Sequence, residues 1–322
     1  YLLKTKFPKF YRIINKINKR DFIDFFEEKL KEIQPDVVQS FEMHSSCVPI
    51  LEVMKKYPRI KWVYTAWGTD IYYYKREPNK VRDMEKTFPS INYMFADCNR
   101  DYRLAKNLGF QGVYLGTFPG GGGYTITQYS NWLKNFNERN IILIKGYQHK
   151  FGRCNKILEA LLKLKNELTR FQIVIFGAND EVAQFVGENF KDFKNVTVKG
   201  RIGQSEVLQL MGNSFVYLGN SISDGTPNTM LEAIIMEVFP IQSDPGGATA
   251  EIIIDGKNGL LIKDPEDSRE IAKHLYEVIK NSVLVKAGIM YNNKYVKPTL
   301  EREYIKRQVL KKYDEIKNDL GN

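Results

Sequence analysis

Cysteine and histidine are scarce in this sequence, three of each in 322 residues. Cys47, Cys98 and Cys154 lie far apart with no Cys-x-x-Cys spacing. That argues against a disulfide framework and against a zinc site, and it fits a reducing, cytoplasmic setting. No apolar run approaches the length that spans a bilayer, and no secretory signal is visible in a chain that opens at Tyr1, which leaves room for an upstream segment. No DNA- or RNA-binding motif and no short repeat occur. No Asp-x-Asp pair marks a divalent-cation site, so metal-independent chemistry with no permanent cofactor is expected. Acidic residues are the minority charge: 38 Asp and Glu against 48 Lys and Arg, a net charge of +10. A basic balance favours an anionic partner such as a nucleotide or a lipid phosphate, and without a motif for it nucleic acid is not expected.

What is present describes a soluble globular chain of two ordinary domains, 43% hydrophobic and 27% charged. The first twenty residues are basic and aromatic. A helix from about Phe10 would set Arg12, Lys16, Lys19 and Arg20 among Ile13, Ile14 and Ile17. It reads as a helix packed on the first domain with a solvated basic face, or as a peripheral contact with the anionic inner face of a membrane.

Residues 21–33 alternate at helical period and stop ahead of Pro35. Strands follow at 36–41, 61–66, 91–96 and 112–115, with helices at about 46–56 and 99–108. A breaker run, Phe118-Pro119-Gly120-Gly121-Gly122-Gly123, opens a connection that holds at most a short helix at 128–133. Then strands at 140–144, 171–176, 196–199, 215–218, 238–242 and 260–262 alternate with helices at about 154–168, 180–190, 205–211, 266–280 and 299–317. Alternation of this kind gives parallel sheets with crossover helices. The expected division is 1–117, a linker at 118–138, a second domain at 139–298, and a terminal helix in 299–322.

The most informative stretch is 214–251. Its first apolar run ends in a polar turn, and Thr226-Pro227 then reads as a helix start, Thr226 as N-cap and Pro227 as the first helical residue. Asp224 precedes this helix and Glu232 lies in its second turn, with seven residues between them. Asn228 and Thr229 share the face of Glu232. Free N–H groups and the positive dipole end at the helix start suit a phosphate. A carboxylate on each side accepts hydrogen bonds from hydroxyl groups. Phosphate between two sets of hydroxyls describes a nucleotide-sugar. Upstream, a glycine and basic loop after a strand, Lys145-Gly146-Tyr147-Gln148-His149-Lys150-Phe151-Gly152-Arg153, suits a diphosphate, with Gly146, Lys150 and Arg153 as the candidates. A second loop at a strand end, Trp67-Gly68-Thr69-Asp70, sits where open α/β sheets bind ligands. Trp67 reads first as a buried aromatic and otherwise as a platform for a sugar face. His44 is a further candidate for the cleft.

Ser223-Asp224-Gly225-Thr226-Pro227-Asn228-Thr229-Met230-Leu231-Glu232-Ala233 resembles the E-x7-E signature of the retaining glycosyltransferases of family 4, with Asp224 for the first Glu. The resemblance continues through Pro240-Ile241-Gln242-Ser243-Asp244, Ala250-Glu251 and Asp255-Gly256-Lys257-Asn258-Gly259-Leu260. It implies a GT-B fold: two Rossmann-like α/β domains facing a cleft, each a parallel sheet with helices on both faces, the last helix crossing back to the first domain. It implies transfer of a sugar, with retention, from a nucleotide-sugar (UDP- or GDP-linked) to a glycan or lipid-linked acceptor, in surface polysaccharide or glycan synthesis. Asp224 would contact the transferred sugar and Glu232 the ribose; the backbone around Gly225–Asn228 would help hold sugar and phosphate, with Thr226, Pro227, Asn228 and Thr229 as donor-binding candidates; Arg201 and Ile202 would contact the base. Trp67 stands where the family has a His, while Gly68 and Asp70 are kept, and His44, Trp67, Gly68 and Asp70 become acceptor-side candidates. Tyr147 occupies the usual place of an Arg, which leaves Lys150 and Arg153 as substitutes. The family's first strand and glycine-rich loop have no counterpart ahead of Pro35, so the first domain is expected to be incomplete. Two alternatives stay open: another GT-B enzyme such as a sugar-nucleotide epimerase, and a non-catalytic nucleotide-sugar-binding module.

Overall fold

The computed structural model describes residues 22–321, and the basic segment read as a packed or membrane-facing helix lies outside them. The first half contains α1 (Phe22–Ile33), β1 (Val37–Phe41), α2 (Leu51–Lys56), β2 (Lys61–Thr65), the short α3 (Thr69–Tyr72), α4 (Pro78–Thr87), β3 (Tyr93–Ala96), α5 (Asn99–Asn107) and β4 (Val113–Thr117). The four strands pair in parallel in the order β1-β2-β3-β4. Their side chains alternate between two faces. Trp62, Tyr64, Met94 and Ala96 pack with residues of the flanking helices, while Val63, Tyr93, Phe95 and Leu115 form a separate small core.

The second half contains β5 (Ile141–Lys145), α6 (Cys154–Leu162), β6 (Gln172–Phe176), α7 (Asp180–Asn189), β7 (Val196–Val198), α8 (Gln204–Gly212), β8 (Ser214–Gly219), α9 (Asn228–Ile235), β9 (Phe239–Ser243), β10 (Leu260–Ile262), α10 (Ser268–Lys280), α11 (Ser282–Tyr291) and α12 (Arg302–Leu320). Its six strands are parallel in the order β10-β9-β8-β5-β6-β7. The chain enters at β5 in the middle, builds outward to β7, then returns to build β8 to β10 on the other side. Strands buried on both faces read as unbroken apolar runs, as in Ile141–Lys145 and Ser214–Gly219. The two faces carry two cores, one with α6, α10 and α11, the other with α8 and α9.

The terminal helix α12 lies on the second face of the first sheet. Ile316 joins the core of Val63, Phe95 and Leu115. The Tyr313 ring sits 5.6 Å from Phe95, and Asp319 meets the Tyr93 hydroxyl and lies 3.4 Å from Lys61. Tyr124, in the connection between the halves, is pinned to the same chain end: its N–H donates to Leu300 at 2.9 Å and its carbonyl accepts from Arg302 at 3.0 Å.

The seam between the halves is polar and close. Arg100 is buried with Asp101, side chains 4% and 0% exposed, at 2.8 Å. Its guanidinium also donates to the carbonyl of Pro245 at 2.5 Å and stacks over Tyr72 at 4.2 Å. Cys98 gives α5 no side-chain cap. Glu251 supplies one from across the seam, accepting from the N–H groups of Asn99 and Arg100 at 2.6 and 2.7 Å. Gly68 has φ +80°, and a Cβ there would come within 2.3 Å of the Gly225 backbone. Only glycine allows these loops to touch.

Three local expectations change. Thr226 is not the N-cap of α9: its hydroxyl donates to the Asp97 carbonyl at 2.6 Å across the seam, and Pro227, extended at ψ 114°, takes the cap position. The segment of Glu251 is a single 3-10 turn, Thr249–Glu251, rather than a helix. The helices α3, α4 and α11 have no counterpart in the sequence reading.

Breaking a buried ion pair leaves its partner charged and unsolvated. Asp101→Ala and Asp101→Asn are each expected to cost about 3–5 kcal/mol in urea unfolding, because both remove the charge that balances Arg100. Small losses for both would show that Arg100 does not depend on this carboxylate.

Candidate donor site at the strand switch point

Strand order reverses between β5 and β8. In open α/β sheets ligands bind outside the carboxyl ends of the strands at such a point. Two cavities open there. One, of about 260 Å³, is lined by Lys145 from the end of β5, by Asn220, Ser221, Ser223 and Asp224 from the loop after β8, and by Gln242 from β9, with Thr69 of the first half closing it. The other, of about 510 Å³, is lined by Gly177, Arg201, Ile202, Gln204, Thr229 and Glu232. Tyr147 lines both. Asp224 and Glu232 therefore stand in adjacent cavities joined at one aromatic ring.

The polar groups are set but not saturated. Gln204 donates to Glu232 at 2.6 Å, and the Gly225 N–H donates to Asp224 at 3.0 Å. Asn220 Oδ1 and Gln242 Oε1 are buried without partners, and the Tyr217 hydroxyl has only Thr229 to bond with. Unpaired buried polar atoms are costly, and their concentration here marks a place built to hydrogen-bond something else. Loss of water raises the pKa of Asp224, and the charge of Lys145 opposes that rise. Loss of water also raises Glu232, against the Gln204 hydrogen bond and again Lys145. One lysine thus acts on both carboxylates.

The structure brings Asp224, Glu232, Thr229, Arg201 and Ile202 to these cavities. Gly225 lies against Asp97, where a Cβ would come within 2.1 Å of the Asp97 carboxylate. Thr226 and Pro227 are buried at the seam, and Asn228 is exposed, turned toward Gly121 instead of Glu232. Gly146 packs on the Ala178 backbone and donates its N–H to Phe176 at 2.7 Å. Lys150 and Arg153 line neither cavity. Lys150 lies over Tyr73 and Tyr74 at 4.6 and 5.1 Å. Arg153 pairs with Glu266 and donates to the carbonyls of His149 and Gly152 at 3.1 and 2.8 Å, so its fork is spent on holding its own loop. Lys145 is the cation that the sequence reading passed over. Its signal was present: a lone charge closing an apolar strand, just before Gly146.

On the first half, Asp70 is 2% exposed and accepts from the Met43 N–H at 3.0 Å, the Tyr64 hydroxyl at 2.6 Å and the Trp67 N–H at 3.0 Å. The His44 Nε2 donates to the Asp70 carbonyl at 3.0 Å. Both residues hold the Trp67–Asp70 loop in place. Trp67 itself is 57% exposed, which overturns the reading of a buried aromatic: the Gly68 turn directs its ring outward, where it packs beside Phe41 at 6.1 Å.

Residues 127–295, just over half of the chain, match the family model for glycosyl transferases group 1. The chain belongs to that family. No curated protein sequence matches it, but solved structures share its fold. The pneumococcal O-GlcNAc transferase GtfA, solved with UDP and GlcNAc, is 16% identical with TM-score 0.72, covering 90% of this chain and 59% of that one. TarM is 15% identical with TM-score 0.70, covering 89% and 57%. Anabaena Alr3699/HepE, solved with UDP-glucose, is 14% identical with TM-score 0.72, covering 91% and 82%. The chain thus spans under two thirds of GtfA and of TarM. The shared architecture is GT-B. Among the described residues, no helix is long and apolar enough to cross a membrane.

Burial pushes the Asp70 carboxyl up to about 7. A folded-state value above the unfolded one means that the native state holds a proton the unfolded chain releases. The stability it contributes is present at acid pH and is lost as pH rises through about 7. The excess melting temperature of the wild type over Asp70→Asn is expected to shrink between about pH 5 and about pH 8. A constant difference would contradict this.

Proposed function

We propose that this chain is a retaining glycosyltransferase of family 4. It moves a sugar from a UDP- or GDP-linked donor to an acceptor hydroxyl, in the synthesis of a surface polysaccharide or other glycan. The division proposed is an acceptor-side domain up to residue 117, a connection at 118–138, a donor-binding domain at 139–298, and a terminal helix in 299–322 that crosses back to the first domain. The observation that carries the reading is the placement of Asp224 and Glu232 in adjacent cavities at the switch point, with Lys145 acting on both.

Each residue then has a physical task. Glu232, held by Gln204, accepts hydrogen bonds from the ribose hydroxyls, while Arg201 and Ile202 border the base. Asp224 accepts from the transferred sugar. Lys145 and the free N–H groups at the start of α9 face the diphosphate. As the bond between the anomeric carbon and the phosphate oxygen breaks, the electron pair leaves with the diphosphate. A fixed cation beside that growing charge lowers the barrier, because it needs no reorganisation at the moment of reaction.

A thermal-shift panel of UDP, GDP, ADP and CMP tests this. One nucleotide is expected to stabilise the wild type by about 2.7 kcal/mol at 100 times its dissociation constant. Glu232→Ala and Lys145→Ala should each lose most of that shift, and Glu232→Ala should lose about 2–4 kcal/mol of transition-state stabilisation in kcat/KM. No shift with any nucleotide would remove the donor-site reading. Binding without turnover, with a full acceptor panel, would favour a non-catalytic nucleotide-sugar-binding module. Conversion of donor without acceptor would favour an epimerase.

A further inference from the structure

The loop between β5 and α6 carries a histidine that the donor-site reading leaves unused. His149 lines the smaller cavity with Lys145, Tyr147 and Asp224, and does not line the one that holds Glu232. Its loop is fastened at several points. The Asn179 side chain donates to the Gln148 carbonyl at 2.7 Å, and the Ile222 N–H to the Phe151 carbonyl at 2.9 Å. Arg153 donates to the carbonyl of His149 itself at 3.1 Å. The imidazole packs near two aromatic rings, 5.7 Å from Tyr147 and 6.1 Å from Phe151, the latter edge to face. Phe151 in turn meets Tyr73 of the first half at 4.8 Å.

One ring nitrogen is committed. The Phe151 N–H donates to His149 Nδ1 at 3.2 Å, and the Gly152 N–H lies at 3.5 Å. An imidazole nitrogen that accepts a hydrogen bond carries no proton, so the proton of the neutral ring is on Nε2. A second proton would set an N–H against the Phe151 N–H. Burial, then the charges of Lys145 and Arg153, also hold His149 below its usual pKa, against the pull of Asp224. Nε2–H is therefore a fixed donor, and it has no acceptor among the described residues.

What this N–H meets follows from its place. Lys150 lies on Tyr73 and Tyr74, and Arg153 is taken by Glu266, so the imidazole and the Tyr147 hydroxyl are what the loop has left to donate. The acceptors of the same cavity, Asp224, Asn220 Oδ1 and Gln242 Oε1, suit sugar hydroxyls, whereas an N–H suits a phosphate oxygen. The phosphate bonded to the sugar is the β-phosphate. The α-phosphate lies toward the ribose and Glu232, in the cavity that His149 does not line. We propose that His149 is a neutral donor that grips the β-phosphate of the nucleotide-sugar through Nε2–H, with Arg153 and the Phe151 N–H as the groups that position it. As the diphosphate leaves with the electron pair, this fixed N–H shares the growing charge with Lys145. The proposal rests on the donor-site reading above, and it adds to that reading a residue and its protonation state.

Two measurements test it. Nitrogen-15 NMR of the protein at pH 7, with His149 assigned by its loss in His149→Asn, should show a neutral ring protonated on Nε2; a proton on Nδ1 would overturn the proposal. Calorimetry then compares UDP and GDP with UMP and GMP and with inorganic pyrophosphate. His149→Asn keeps an acceptor for the Phe151 N–H but has no group at the place of Nε2, and His149→Gln puts an N–H donor there. The Asn variant should bind the nucleoside diphosphate about tenfold more weakly, with the monophosphate little changed, and the Gln variant should recover most of the loss. If the diphosphate binds His149→Asn as tightly as wild type, or if His149→Gln is as weak as His149→Asn, the proposal fails and the donor reading stands. An equal loss for mono- and diphosphate also overturns it. If neither nucleoside diphosphate binds the wild type but pyrophosphate does, and His149→Asn weakens it, the phosphate contact stands and the donor reading alone is removed. No binding of pyrophosphate or of either nucleoside diphosphate removes both.

Discussion

Arg100 is a cation almost wholly removed from water at the seam between two sheets. Such a charge is tolerated only where every donor has a partner, and its partners come from both sides: Asp101 beside it, the Tyr72 ring below, and the Pro245 carbonyl from the second half. Nearby, Glu251 caps α5, and the Thr226 hydroxyl reaches the Asp97 carbonyl. These contacts fix how the loop after β8 approaches the loop after β2. The backbone contact at Gly68 and Gly225, and with it the position of Asp224, follows from that approach.

The same seam concentrates charge. Asp70, Asp97, Asp101 and Asp224 cluster around one arginine, and Lys145 stands beyond them. Burial raises these carboxyls; neighbouring acids add to the rise at Asp97, while Arg100 opposes it at Asp101 and Lys145 with Arg100 opposes it at Asp224. A site of this kind is poised for a ligand that brings hydroxyls to the carboxylates and an anion to the lysine. The reading of a nucleotide-sugar cleft rests on that balance rather than on any one residue.

Much of this was legible in the sequence. Strands buried on both faces announced themselves as apolar runs, and the pairing of Asp224 with Glu232 followed from a strand, a proline-started helix and their spacing. Arg201 and Ile202 came from a family pattern and fall in the same cavity as Glu232. What was not legible depends on contacts far apart in sequence. Thr226 has the chemistry of an N-cap, but its hydroxyl is drawn to Asp97, over a hundred residues earlier. Arg153 has the right fork for a diphosphate, but Glu266 claims it. Lys145 was hidden because a charge at a strand end is common, and only the strand order shows that this end lies at the switch point. Trp67 was misjudged because nothing local distinguishes a core aromatic from one turned outward by a glycine at positive φ.

The most direct test of the central claim is a crystal structure with bound UDP, or with whichever nucleoside diphosphate stabilises the protein. The account places the diphosphate within hydrogen-bond distance of Lys145 Nζ and the first N–H groups of α9, the ribose hydroxyls on Glu232, and the base beside Arg201 and Ile202. A nucleotide bound elsewhere, or one whose phosphates contact Lys150 and Arg153 while Lys145 stays unengaged, would contradict it.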